Sequence, residues 1–181
     1  MNRKSFAAAS LICLIASTLT LAQQPPAQDK SQRPSPPGTA DCTIHGKKVT
    51  ISYSRPSIKG RKIMGDLVPY GKVWRTGANE ATTLTSEIDL NIAGAKVPAG
   101  TYTLYTLPSE GTWKLIINKQ TGQWGTQYDQ TQDLARVDMT QTAIAVPVEK
   151  FTISLDQSGN DSAELVMEWE KTRVSVLLKA Q

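Results

Sequence analysis

Thr101-Tyr102-Thr103-Leu104-Tyr105-Thr106-Leu107, then Pro108-Ser109-Glu110-Gly111, then Thr112-Trp113-Lys114-Leu115-Ile116-Ile117-Asn118-Lys119 reads as strand, turn and strand. The first run consists of Thr, Tyr and Leu, which suit a pleated surface. Its two interleaved sets, Tyr102, Leu104 and Thr106 against Thr103, Tyr105 and Leu107, ask for cover on both faces. Pro-Ser-Glu-Gly supplies turn chemistry, and Trp113, Leu115 and Ile117 then recur at a period of two.

The same period continues outward in both directions. Val49, Ile51 and Tyr53 share one side of residues 48–54, and Ile88, Leu90 and Ile92 alternate ahead of a turn at 93–96. Further strands are expected at 134–141, at 149–155 with Phe151, Ile153 and Leu155 aligned, at 163–170 with Ala163, Leu165, Met167 and Trp169 aligned, and at 173–179 with Val174, Val176 and Leu178 aligned. Gly159-Asn160-Asp161 and Lys171-Thr172 supply the last two turns. Nine or ten short strands joined by turns rather than crossover helices predict an all-β fold, an antiparallel β-sandwich of jelly-roll type with long loops. At most one short loop helix is expected, near 61–68, where Ile63, Met64, Leu67 and Val68 share a face.

The first residues carry an address. Asn2-Arg3-Lys4 is a basic start, residues 6–21 form an apolar stretch, and Thr20-Leu21-Ala22 presents small residues where a signal peptidase reads. The stretch includes Ser10, Ser17, Thr18 and Thr20 and falls short of the roughly 20 apolar residues a spanning helix needs, so cleavage after Ala22 is expected rather than a membrane anchor. Cys13 lies inside the apolar run behind Ile12, which does not fit a lipidation site. The expected location is the periplasm or extracellular space, with no membrane association after cleavage. Removal of residues 1–22 takes Arg3 and Lys4 and lowers the formal charge from +4 to +2. With that balance and no Lys/Arg tract, nucleic acid is not an expected partner. Residues 23–39 contain five prolines with Gln, Ser and Gly and lack apolar patterning, the composition of a flexible linker; a single domain is expected over 40–181.

Catalytic vocabulary is sparse. Cys42 is the one cysteine left after cleavage, so no intrachain disulfide forms, and a small buried hydrophobe at a strand start accounts for it. His45, the sole histidine, sits in the turn His45-Gly46-Lys47 and reads as a solvated turn residue. No Gly-x-Ser-x-Gly, His-Glu-x-x-His or Cys-x-x-Cys occurs, and no phosphate-cradling glycine loop. No cofactor or metal is implied, and nothing specifies an oligomer.

The candidate site is the segment that departs from alternation. It runs Arg55-Pro56-Ser57-Ile58-Lys59-Gly60-Arg61 and Tyr70-Gly71-Lys72-Val73-Trp74-Arg75-Thr76-Gly77-Ala78-Asn79-Glu80, with cations and aromatics set among glycines. Loops on a rigid β scaffold are common places for binding groups. Arg55 and Arg75 present planar forks suited to carboxylate or phosphate, Trp74 or Trp124 can stack on a ring, and Asn79 and Glu80 can orient hydroxyls. A second loop, 120–133, brings Trp124, Gly125, Gln127, Tyr128 and Asp129 and can fold against the first. The same residues also suit scaffolding: Glu80 can pair with Arg75 or Arg55, and Trp74 can plug the open end of the sandwich.

Tyr53-Ser-Arg-Pro-Ser, Lys59-Gly-Arg-Lys-Ile, the block from Leu67 through Trp74-Arg-Thr-Gly-Ala-Asn-Glu-Ala-Thr, Val97-Pro-Ala-Gly-Thr-Tyr and Asn118-Lys-Gln-Thr-Gly-Gln-Trp-Gly together give the chain a resemblance. It resembles the bacterial family catalogued as domain of unknown function 2911. The likeness runs from about Arg33 to Lys179 and implies an exported, β-rich bacterial domain without implying an activity. Arg55, Lys59, Arg61, Trp74, Arg75, Asn79, Glu80 and Trp124 fall at the family's motif positions. The expected function is a non-enzymatic binding module whose loop face, Arg55, Lys59, Arg61, Trp74, Arg75, Asn79, Glu80, Trp124 and Tyr128, takes a polar or anionic ligand such as a glycan or peptide. One alternative is an envelope hydrolase or lyase with Glu80 as acid or base, Asp66 or Asp129 supplying a second carboxylate; another makes the motif purely architectural.

Overall fold

The computed structural model describes residues 29–181. The expected signal segment at 1–22 and the first residues of the Pro-rich linker lie outside the described residues. Among the described residues no helix is long and apolar enough to cross a membrane.

The chain is all-β and antiparallel, as the alternation requires. Its strands are β1 (Pro37–Ile44), β2 (Lys47–Ser54), β3 (Thr83–Ser86), β4 (Leu90–Ile92), β5 (Ala95–Val97), β6 (Gly100–Leu107), β7 (Trp113–Asn118), β8 (Asp133–Ser158) and β9 (Ser162–Ala180). They hydrogen-bond in the order β1-β2-β3-β6-β7-β8-β9-β4-β5. One sheet therefore supplies both layers, and β8 joins them: its first residues pair with β7 from Trp113↔Met139 to Asn118↔Asp133, and its remainder pairs with β9. The core lies between the layers, where Ile44, Val49, Ile51 and Leu104 of one meet Phe151, Ile153, Leu165 and Met167 of the other.

Two contacts tie the layers directly. Tyr53 donates its hydroxyl to Ile153 O at 3.3 Å and accepts from Ile153 N at 2.9 Å, so one phenol oxygen satisfies both main-chain groups of a β8 residue. The chain leaving β2 then lies alongside β8, with Phe151 N donating to Pro56 O and Ile58 N to Glu149 O, both at 2.9 Å.

The structure departs from the sequence expectations in four places. The strands expected at 134–141 and 149–155 are one strand, β8, because pairing with β9 continues through Ala143↔Thr172 and Val148↔Glu170 across register shifts while the intervening side chains face solvent and carry no alternation. Lys171-Thr172 makes no turn: β9 runs through it, absorbing a distortion at Glu170, whose φ is +55°. Residues 61–68 form no helix; Val68 N donates to Ile63 O at 2.9 Å, and these two apolar side chains are buried from a turn. Strand β1 begins at Pro37 and Asn79 Nδ2 donates to Ser35 O at 3.1 Å, so the end of the expected linker is part of the domain. Proline is tolerated there because it opens an edge strand, where its missing N–H leaves no ladder partner unmet.

Candidate functional site

Residues 55–80 and 119–132 pack together at one end of the layers, as expected of the two loops. Ala81 N donates to Gln123 O at 3.2 Å, Gly125 N to Asn79 O at 3.0 Å, and Glu80 bridges Trp124. Gly125 has no room for a side chain: a Cβ there would lie 2.9 Å from Asn79 O and 3.0 Å from Arg75 Cδ. Gly77, at φ +145°, is equally confined, with Ser54 O at 2.9 Å from its notional Cβ.

Between these loops opens a cleft of about 490 Å³, within the size range of small-ligand pockets. Trp74, Arg75 and Arg61 border it from the first loop, Gly125 and Tyr128 from the second, and Tyr105 and Trp169 from the sheet. No Asp or Glu is among the residues that line it, and among the described residues neither Arg61 nor Arg75 forms a salt bridge. Arg75 Nε donates to Gly77 O at 3.2 Å, and Arg61 is braced by Ile58 O at 3.0 Å and Ser57 O at 2.6 Å. Backbone carbonyls thus orient both guanidinium groups without neutralising them.

The aromatic wall is rigid. Trp74 lies nearly parallel to Trp169, 5.8 Å apart at 15°, and edge-on to Phe151 at 5.1 Å, so it closes the end of the core as well as bordering the cleft. Tyr128 meets Tyr105 edge-to-face at 4.8 Å. Its hydroxyl donates to Asp133 Oδ2 and accepts from Arg136 Nη2, both at 2.7 Å. Burial, with the Asp133 carboxylate beside it, pushes the Tyr128 phenol up to about 12. Tyr105 donates to Gln127 O at 3.1 Å, and Trp169 Nε1 to Glu149 O at 3.2 Å.

Of the nine residues singled out from sequence, Arg61, Trp74, Arg75 and Tyr128 line the cleft and five do not. Arg55 bridges the layers, its guanidinium donating to Phe151 O at 3.3 Å and Thr152 Oγ1 at 3.0 Å. Lys59 holds a turn at φ +48°, its backbone N donating to Glu149 Oε1 at 3.0 Å. Asn79, also at positive φ, reaches Ser35 O and Ser54 Oγ. Trp124 is 45 % exposed on the outer side of its loop.

Glu80 pairs with neither Arg75 nor Arg55. It receives Arg33 Nη1 at 2.9 and 3.0 Å on its two oxygens and Lys30 Nζ at 2.9 Å, beside a separate recess of about 260 Å³. Hydrogen bonds from Lys30 and Arg33 hold its carboxyl down at about 2, so at neutral pH it has no proton to give and is a weak base. Lys30 and Arg33 escaped notice because their surroundings read as linker; Tyr105 and Trp169 read as strand residues like any other.

Cys42 is buried in β1, and that burial pushes its thiol up, away from thiolate chemistry. Among the described residues no cluster of three or more His, Cys, Asp or Glu could hold a metal.

A family model described as protein of unknown function (DUF2911) matches residues 35–178. The chain belongs to that family. The match opens at Ser35, which borders the cleft, and takes in both loops and every strand except the last two residues of β9. No curated protein and no solved structure matches the chain.

Proposed function

We propose that this DUF2911 chain is an exported cell-envelope domain that captures a polar or anionic ligand, a glycan or a peptide, in the cleft between its two loops. The observation that carries the reading is the pair Arg61 and Arg75, bordering a concavity lined by no carboxylate and each oriented by backbone carbonyls. A guanidinium held in place at an aromatic wall, with no carboxylate beside it, keeps its donors available to a ligand anion. Capture rather than turnover fits the lining, in which no imidazole, thiol or carboxylate stands ready as base or nucleophile. Export rests on the pattern of residues 1–22.

A glycan and peptide array probed with protein expressed from the full sequence tests the reading. Binding by the wild type that is lost in Arg75→Ala, with thermal unfolding unchanged, is the expected result. Equal binding by both would remove the cleft as the site.

A further inference from the structure

The identity of the ligand can be narrowed, on the assumption that the cleft just described is the binding site. Three of its four aromatic side chains have their polar atoms committed inside the protein: Tyr105 to Gln127 O, Tyr128 to Asp133 and Arg136, and Trp169 to Glu149 O. What these rings offer a ligand is carbon, and their partner must therefore carry an apolar face. The adjoining groups that carry charge are guanidinium forks, which match a planar carboxylate in a two-bond geometry.

At Trp74 and Gly125 the main chain is likewise spoken for. Trp74 N donates to Thr106 O at 2.8 Å, Trp74 O accepts from Thr106 N at 3.0 Å, and Gly125 N donates to Asn79 O. An extended peptide recognised by adding a strand needs a row of free N–H and C=O groups, and these positions offer none. A pyranose ring needs no such row: it has a C–H face for an aromatic wall, and its hydroxyls can meet water at an open mouth.

We infer that the ligand is an acidic saccharide, a uronic-acid-bearing glycan whose carboxylate is held by Arg75 with Arg61 and whose ring packs on the wall formed by Trp74 and Tyr128.

The test uses protein expressed from the full sequence, titrated with oligogalacturonate and oligoglucuronate, with the matched neutral oligosaccharides, with sulfated oligosaccharides and with acidic peptides. Ligand-observed NMR and calorimetry report binding. The expected result is binding of a uronate oligomer at least about tenfold tighter than its neutral counterpart, the scale of one charge-assisted contact, weakening as salt rises. Arg75→Ala should lose about tenfold or more and Arg75→Lys an intermediate amount; should Arg75→Ala unfold, Arg75→Gln takes its place. Neutral and acidic oligomers binding alike, or sulfated ones binding tighter, would overturn the carboxylate assignment. Acidic peptides binding in an Arg75-dependent way while no saccharide binds would overturn the saccharide and leave the cleft standing. Saccharide binding indifferent to every Arg75 variant would sink both.

Discussion

Gly125 and Arg75 occupy one another's space: a Cβ on Gly125 would come within 3.0 Å of Arg75 Cδ and 3.2 Å of Arg75 Cβ. The second loop can close on the first only because this residue has no side chain. Gly125→Ala is expected to push the arginine stem aside and to lower stability by about 1–3 kcal/mol, the usual range for overpacking. Chemical denaturation measures the loss. A ligand that depends on Arg75 should weaken in parallel, and full stability in the alanine variant would contradict the fit.

Gly77 should be the less replaceable glycine of the first loop. It combines φ +145° with Ser54 O at 2.9 Å and Thr82 Oγ1 at 3.2 Å from a notional Cβ, whereas Gly60 and Gly71, at φ +70° and +73°, face open space. Gly77→Ala is expected to cost about 2 kcal/mol or more, and Gly60→Ala or Gly71→Ala about 1 kcal/mol. Comparing the three melting temperatures checks the order.

Tyr53 spans the layers with one oxygen. Tyr53→Phe removes both hydrogen bonds to Ile153 and leaves the Ile153 N–H, inside the core, without its acceptor. The expected loss is about 1–3 kcal/mol with the fold unchanged by circular dichroism. A loss near zero would mean that the Ile153 N–H finds another acceptor without the tyrosine.

Glu80 gives the molecule a narrow acid response. Its carboxyl sits at about 2 in the folded chain against an ordinary 4.5. Because the folded value is the lower one, its contribution is complete above about 4.5 and is lost as pH falls toward 2. With the side chain 40 % exposed, solvent screens the pairs, so Glu80→Gln is expected to cost less than about 1 kcal/mol at neutral pH. The variant should show a flatter stability profile between those two values, and added salt should shrink the difference from wild type.

How far the sequence reaches depends on where side chains face. Val49, Ile51 and Tyr53, or Phe151, Ile153 and Leu155, each bury one face of a half-covered strand, so period two reveals them. Residues 141–147 of β8 are largely exposed on both sides, and a strand without a buried face has no pattern to read. The cleft was legible through Trp74, Arg75, Arg61 and Tyr128, whose residue types are unusual for loops. Its remaining wall was not, because Tyr105 and Trp169 sit in strands where an aromatic signals core. Nor could the sequence disclose that Glu80 turns toward Lys30 and Arg33 rather than Arg75: each is a cation at a plausible reach, and only the path of the chain before β1 selects among them.

The way the chain enters its domain decides how the protein can be handled. Ser35 stands at the rim of the cleft, whereas the carboxyl end of β9 pairs at Leu90↔Ala180, roughly 35 Å along the strand from Trp169. A reporter or affinity handle joined close upstream of Ser35 would crowd the mouth of the cleft. One joined after Gln181 would leave it clear.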